Sequence, residues 1–297
     1  MASSQGLAVE LPLIKARSSR RTLDFLRRFS RNRGAVGGAV LLLVIIALAI
    51  LAPMIAPYDP LATDAVPRQA PSRAHLMGTD ELGRDELSRV LWGGRISLWI
   101  GLVPVAIATV VGTLLGMSAG YFGDLTDTVI MRCIDIMMAF PGILLALAII
   151  AVLGTSLSNL MIAVGISAIP LYTRLMRGST LSAKHNLYVD AARTIGAGNA
   201  RIVLRHIFPN VLAPLIVVAT LGTATAILVG ASLSFLGLGQ QPPTPEWGSM
   251  LSTARPMLRV AWWTTFFPGL AISLTVLAIN MVGDGLREVL DPRLRTL

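Results

Sequence analysis

The 297-residue chain is 54% hydrophobic and only 14% charged, with a mean hydropathy of +0.70. Soluble domains carry about a quarter charged residues, so this composition excludes an ordinary soluble fold. The net charge of +9 gathers at the ends of apolar runs without interleaved aromatics, which points to membrane topology and away from nucleic acid.

Residues 1–33 form a basic segment that includes Lys15, Arg27, Arg28, Arg31 and Arg33. Within it, 23–29 reads either as an amphipathic surface helix or as part of a basic tail. The first span is predicted over 34–57, ended by Pro53 and Pro57. It begins too late and runs too long for a cleaved signal peptide and is read as a retained span. Residues 58–94 are polar, Pro-rich and nearly balanced in charge, and read as an external segment. Its Gly78-Thr79-Asp80 and Gly83-Arg84-Asp85 read either as a self-contained turn network or as a contact for a binding protein.

A five-helix core is predicted over 95–285, with spans at about 96–119, 129–153, 157–175, 211–233 and 262–281. Pro141-Gly142 and Pro170 lie inside two of these spans, as kinks either static or mobile. Asp135 is expected to pair with Arg132 on one helix face. Trp262 and Trp263 are expected at a membrane interface. The positive-inside rule puts 1–33, 120–128, 176–209 and the short tail from 284, its last residues 286–297, in the cytoplasm, so both termini lie inside. Six spans make an all-α membrane protein.

Chemistry is sparse. The single Cys133 and the scattered His75, His185 and His206 offer no metal-ligand spacing. The only lysines, Lys15 and Lys184, follow no Gly-rich phosphate loop, so ATP binding of that kind is excluded. No paired carboxylates or Ser/His arrangement suggests an enzyme, and no inverted repeat suggests a secondary transporter.

The informative stretch is LYVDAARTIGAGNARIVLRHIFPNVLAPL, residues 187–215. Asp190 lies near the start of a short helix, where it suits the helix dipole or caps the helix. Ala191 and Ala192 permit close approach. Gly196 and Gly198 end that helix. Asn199 is placed to cap a second helix with Ile202, Val203 and Ile207 on its apolar face. Pro209 and Pro214 bracket the entry to the next span. Such a rigid knob on a membrane protein suits the grip of a soluble partner.

This loop resembles the Glu-Ala-Ala-x-x-x-Gly motif of permease subunits of bacterial ABC importers, with Asp190 in place of Glu and Phe208 in place of the usual leucine. The stretches 75–102 (HLMGTDELGRDELSRVLWGGRISLWIGL), 234–251 (SFLGLGQQPPTPEWGSML) and 280–295 (NMVGDGLREVLDPRLR) resemble the second permease of dipeptide, oligopeptide, glutathione and nickel importers. The resemblance implies a type I importer permease fold in the bacterial inner membrane, forming half of a pore for di- or oligopeptides, with nickel or glutathione as the alternative. It implies as partners a homologous first permease, two ATPase domains that use ATP and Mg, and a substrate-binding protein. By the same resemblance, Asp190, Ala191, Ala192, Arg193, Gly196, Ala197 and Pro209 belong to the segment that meets an ATPase, the coupling loop 187–209. Thr220, Thr223, Thr225 and Ser232 are candidate pore-lining residues of the fifth span. No cofactor is expected on this chain.

Overall fold

The computed structural model describes residue 27 and residues 29–290. Most of the expected helix over 23–29 and most of the 286–297 tail lie outside the described residues. Apart from one isolated antiparallel bridge between Thr79 and Asp85, the regular structure among the described residues is helical.

Helix α1 (Arg33–Ile55) starts at Asn32, whose side chain accepts from the Ala35 N–H at 2.9 Å. Helix α2 (Glu86–Phe122) is capped in the same way by Asp85, which accepts from the Ser88 N–H at 2.8 Å. Then come α3 (Asp124–Met138), α4 (Gly142–Leu153), α5 (Leu157–Lys184) and the short α6 (Leu187–Thr194). A single α turn, Asn199–Arg201, passes through π-helical Ile202–Ile207 into α7 (Phe208–Phe235). Helices α8 (Trp247–Ala254) and α9 (Trp263–Leu290) complete the described chain. Among the described residues, five helical runs are long and apolar enough to cross a membrane, and the α3–α4 pair makes a sixth if counted as one bent span.

Several expected boundaries shift, each for a physical reason. The second helix begins at Glu86 rather than near 96, because Asp85 caps it and its polar first turns are buried by neighbouring protein. At 1.5 Å per residue it is roughly 55 Å long, well beyond a hydrocarbon core of about 30 Å. Hydropathy marks the part in lipid, not the whole helix. The stretch 129–153 is not one helix: α3 and α4 meet at 91° around Pro141. Proline lacks the N–H that would continue the ladder and keeps the preceding residue out of the helical region. Pro170, by contrast, is absorbed within α5. The second helix of the 187–215 stretch is not separate from the span that follows it, since Pro209 falls in the first turn of α7, where its missing N–H costs nothing.

Helices approach closely at small residues, as bilayer packing favours. A Cβ on Gly120 of α2 would stand 2.8 Å from the Arg177 carbonyl oxygen of α5, and Gly112 and Gly116 lie equally tight against that helix. Helix α1 leans on α9 through Gly38, whose added Cβ would stand 2.9 Å from the Ala278 carbonyl oxygen. The two ends of the bundle then differ. The lower end carries the 187–207 loop, and the upper end carries residues 56–85 and α8.

At the upper end the turn motifs form a self-contained network. Arg84 donates to Asp80 at 2.6 Å, and Asp80 also accepts from the backbone N–H groups of Leu82 and Arg84 at 2.9 Å. His75 Nδ1 lies 2.9 Å from Asp85. The Thr79 hydroxyl donates to the Val66 carbonyl at 2.6 Å, and Trp263 Nε1 donates to the Thr79 carbonyl at 3.0 Å. Of the two readings of these motifs, the structure displays the turn network.

Candidate functional site

The 187–207 loop is held from inside and open outside. Val189 and Ala192 of α6 and Ile202 and Ile207 of the following turn are buried in the same core cluster as Tyr121 and Met176. Leu187 and Ile195 are 85% and 84% exposed, a large apolar surface at the two ends of an eight-residue helix. Ala191 and Arg193 face outward with them, Ala197 is half-buried, and Pro209 is exposed in the first turn of α7. Gly196 has φ +80°, a left-handed conformation that closes α6. Its N–H reaches the Arg193 carbonyl at 2.9 Å, and the Ala197 N–H reaches the Ala192 carbonyl at 3.0 Å.

Two capping expectations are corrected. Asp190 does not cap α6; its carboxylate accepts from Arg193 Nη1 at 3.3 Å, and the cap position belongs to Asn186. Asn199 does not cap the next turn, where Gly198 stands; its Oδ1 accepts from the Tyr121 hydroxyl at 2.8 Å. Tyr121 is the anchor that sequence reasoning missed. Lys184 Nζ donates to its carbonyl at 2.7 Å, and Arg193 lies 6.0 Å from its ring centroid. The position at the end of an apolar helix, ahead of Gly123, was the only available signal.

Asp135 pairs across helices with Arg174 at 2.6 Å, in place of the expected Arg132. Nearer the loop, about two turns along α3 and one along α5, Arg177 makes a two-pronged contact with Asp127 at 2.5 Å. Both pairs tie α3 to α5. Among the described residues no three His, Cys, Asp or Glu side chains stand together in a way that could hold a metal ion.

The four hydroxyl residues of α7 do not share a face. At about 100° per residue, Thr223 and Thr225 point roughly 160° apart. Thr220 and Thr223 line a groove beside α1 and α2, while Thr225 and Ser232 are exposed elsewhere on the helix. All four hydroxyls donate to the carbonyl one turn back, at 2.7 to 3.5 Å.

At the upper end, Glu246 locks α8 onto α2. Its carboxylate accepts from the Gly248 and Ser249 N–H groups at 2.8 Å and from the Ser97 hydroxyl at 3.1 Å. Trp247 Nε1 donates to the Val90 carbonyl at 2.9 Å. Burial pushes the Glu246 carboxyl above its ordinary 4.5, against the opposing pull of those donors. The folded state therefore holds the proton more tightly than the unfolded state. Its contribution to stability is full below 4.5 and declines as pH rises through the elevated folded value. Thermal unfolding in detergent should show this decline, and Glu246→Gln should flatten it. Glu246→Ala should cost about 1 kcal/mol or more through the lost cap.

Comparison with known proteins follows the same outline. Residues 112–296 match the family described as binding-protein-dependent transport system inner membrane component, and residues 21–71 match the N-terminal transmembrane domain of oligopeptide transport permease C. The chain is 48% identical to a di/tripeptide transport system permease protein of Pseudomonas aeruginosa, over 92% of each chain. It is 44% identical to a glutathione transport system permease protein of Pectobacterium atrosepticum, over 98% of each. It also superposes on a chain of the inward-facing MetNI methionine ABC transporter with a TM-score of 0.56 at 19% identity, covering 68% of this chain and 96% of that one. That likeness speaks to fold alone.

Proposed function

The chain belongs to the binding-protein-dependent transport family of inner-membrane permeases, and from that premise we propose that it forms half of the translocation pore of an ATP-driven peptide importer. The observation that carries the mechanism is the 187–207 loop, rigidly seated yet exposing Leu187, Ala191 and Ile195. In this reading the segment from Asp190 through Arg193 to Gly196 and Ala197, braced at Pro209, seats in a partner ATPase. Movement of the ATPases shifts α6, and Tyr121 and the buried Val189 and Ala192 pass that shift to α2 and α7. The bundle then rocks as a body between two access states.

Charge supports an orientation with both termini in the cytoplasm. Arg31, Arg33, Lys184, Arg201, Arg205 and Arg287 gather at the lower end. At the upper end Arg68, Arg73, Arg84, Arg89, Arg95, Arg255 and Arg259 are matched by Asp59, Asp64, Asp80, Glu81, Asp85, Glu86 and Glu246. Thr225 and Ser232, exposed on α7, are the pathway residues of choice. Peptides are the favoured substrate because the similar permease of Pseudomonas aeruginosa is named for di- and tripeptides, and the family matched by residues 21–71 is named for oligopeptides. Glutathione, itself a peptide, is the second reading on the strength of its similar permease.

ATP and Mg act on partner subunits in this reading. The purified chain alone should hydrolyse ATP no faster than background in a phosphate-release assay. Robust hydrolysis by the chain alone would contradict the division of labour.

A further inference from the structure

Between α1, α2, α7 and α9 lies a half-open groove of 550 Å³. Its walls are Leu42, Ile46 and Ile50 of α1, Trp99 and Leu102 of α2, and Ile279 of α9. Thr220 and Thr223 also reach it, but their hydroxyl protons are spent on the Ile216 and Ala219 carbonyls of their own helix. One cation stands on the lining, Arg95, in the last turn of α2 before its long apolar stretch. No carboxylate lies within ion-pair distance of Arg95 among the described residues. Its guanidinium rests 5.2 Å from the Trp92 ring centroid, and Trp99 lies one turn further along the same helix. The groove is thus largely apolar, with one positive charge unpaired by any carboxylate among the described residues at its upper end, resting on the Trp92 ring.

We propose that this groove holds an acyl chain of an anionic phospholipid from the leaflet at the upper end, with its phosphate on Arg95. The stretch of α1 that lines it, from Leu42 to Ile50, spans roughly 12 Å, close to the half-thickness of a hydrocarbon core. A peptide substrate is a poor occupant, because apart from Arg95 at one end and the accepting oxygens of Thr220 and Thr223, the aliphatic walls would leave its backbone groups without partners. A zwitterionic lipid would bring an ammonium group to an already positive rim, so the anionic headgroup is the better electrostatic match. The assignment places Thr220 and Thr223 beside lipid, on a different face of α7 from Thr225 and Ser232.

The test uses the assembled transporter. Native mass spectrometry would record lipid adducts on this subunit after incubation with phosphatidylglycerol or phosphatidylethanolamine, for the wild type, Arg95→Gln and Arg95→Lys. The wild type should retain phosphatidylglycerol about fivefold better than phosphatidylethanolamine, the preference expected of one basic side chain near an anionic surface. Arg95→Gln should lose that preference, and Arg95→Lys should keep most of it. Equal retention of both lipids by wild type and Arg95→Gln would overturn the proposal. So would a change in peptide KM in Arg95→Gln with lipid retention unchanged, which would assign the groove to the substrate pathway. Brominated phosphatidylglycerol should also quench the part of the fluorescence that Trp99→Phe removes. Absence of that quenching in the assembled transporter would mean that another chain covers the groove, and would equally overturn it.

Discussion

Gly196→Val should reduce ATP-dependent uptake about tenfold while leaving membrane insertion intact. An added Cβ at Gly196 meets nothing within 4 Å, so crowding contributes nothing. The cost lies in the backbone, at φ +80°. An L-residue there loses about 1–2 kcal/mol, and a β-branched one more. That strain lowers the ratio of native to alternative loop conformers roughly tenfold. Escape from it breaks the hydrogen bonds that close α6, from Gly196 to Arg193 and from Ala197 to Ala192. The exposed ridge of Leu187, Ala191 and Ile195 then loses its fixed position. The ATPases should continue to hydrolyse ATP, now uncoupled from uptake. Uptake assays paired with phosphate release would show the split, and normal uptake by Gly196→Val would remove the loop from its proposed role.

Gly116→Leu should have the largest effect on stability. A Cβ there would collide with the Thr173 carbonyl oxygen of α5 and stand 2.7 Å from Met176 Cβ and 2.9 Å from the Arg177 nitrogen. Overpacking typically costs 1–3 kcal/mol, and a main-chain obstacle that cannot change rotamer puts this site at about the upper figure. Helices α2 and α5 would have to separate, loosening the core beneath Tyr121 and Tyr172. Gly178, also on α5, has open space around its Cβ and provides the control. Gly116→Leu should lower the unfolding temperature in detergent sharply, and Gly178→Leu should barely move it. Equal effects would mean that helix propensity, not the α2–α5 contact, governs both.

Much of the architecture could be read from residue order, because bilayer physics writes itself into composition. Long apolar runs, prolines at their ends and arginines at one side gave the spans. The motifs in 75–102, 187–215 and 234–251 gave the family. What escaped was decided by tertiary partners. The α2 helix extends back to Glu86 because Asp85 caps it and Arg84 and α8 stand against its first turns, where a hydropathy window sees only polarity. Asp135 found Arg174 across a helix interface instead of Arg132 along its own, since the fold brings α5 against α3. Asp190 and Asn199 have the right chemistry for caps, yet each found a better partner nearby, Arg193 and Tyr121. The bend at Pro141 shows the converse. Neighbouring residues alone do not tell a proline absorbed within a helix, like Pro170, from one at a 91° break.

A pore half that takes its energy from partners is tested most directly by reconstitution in proteoliposomes with a homologous permease, the ATPases and a binding protein, measuring uptake of a labelled dipeptide. Uptake should require ATP and every component, and should vanish when this chain is omitted. Uptake that persists without the ATPases, or without this chain, would contradict it.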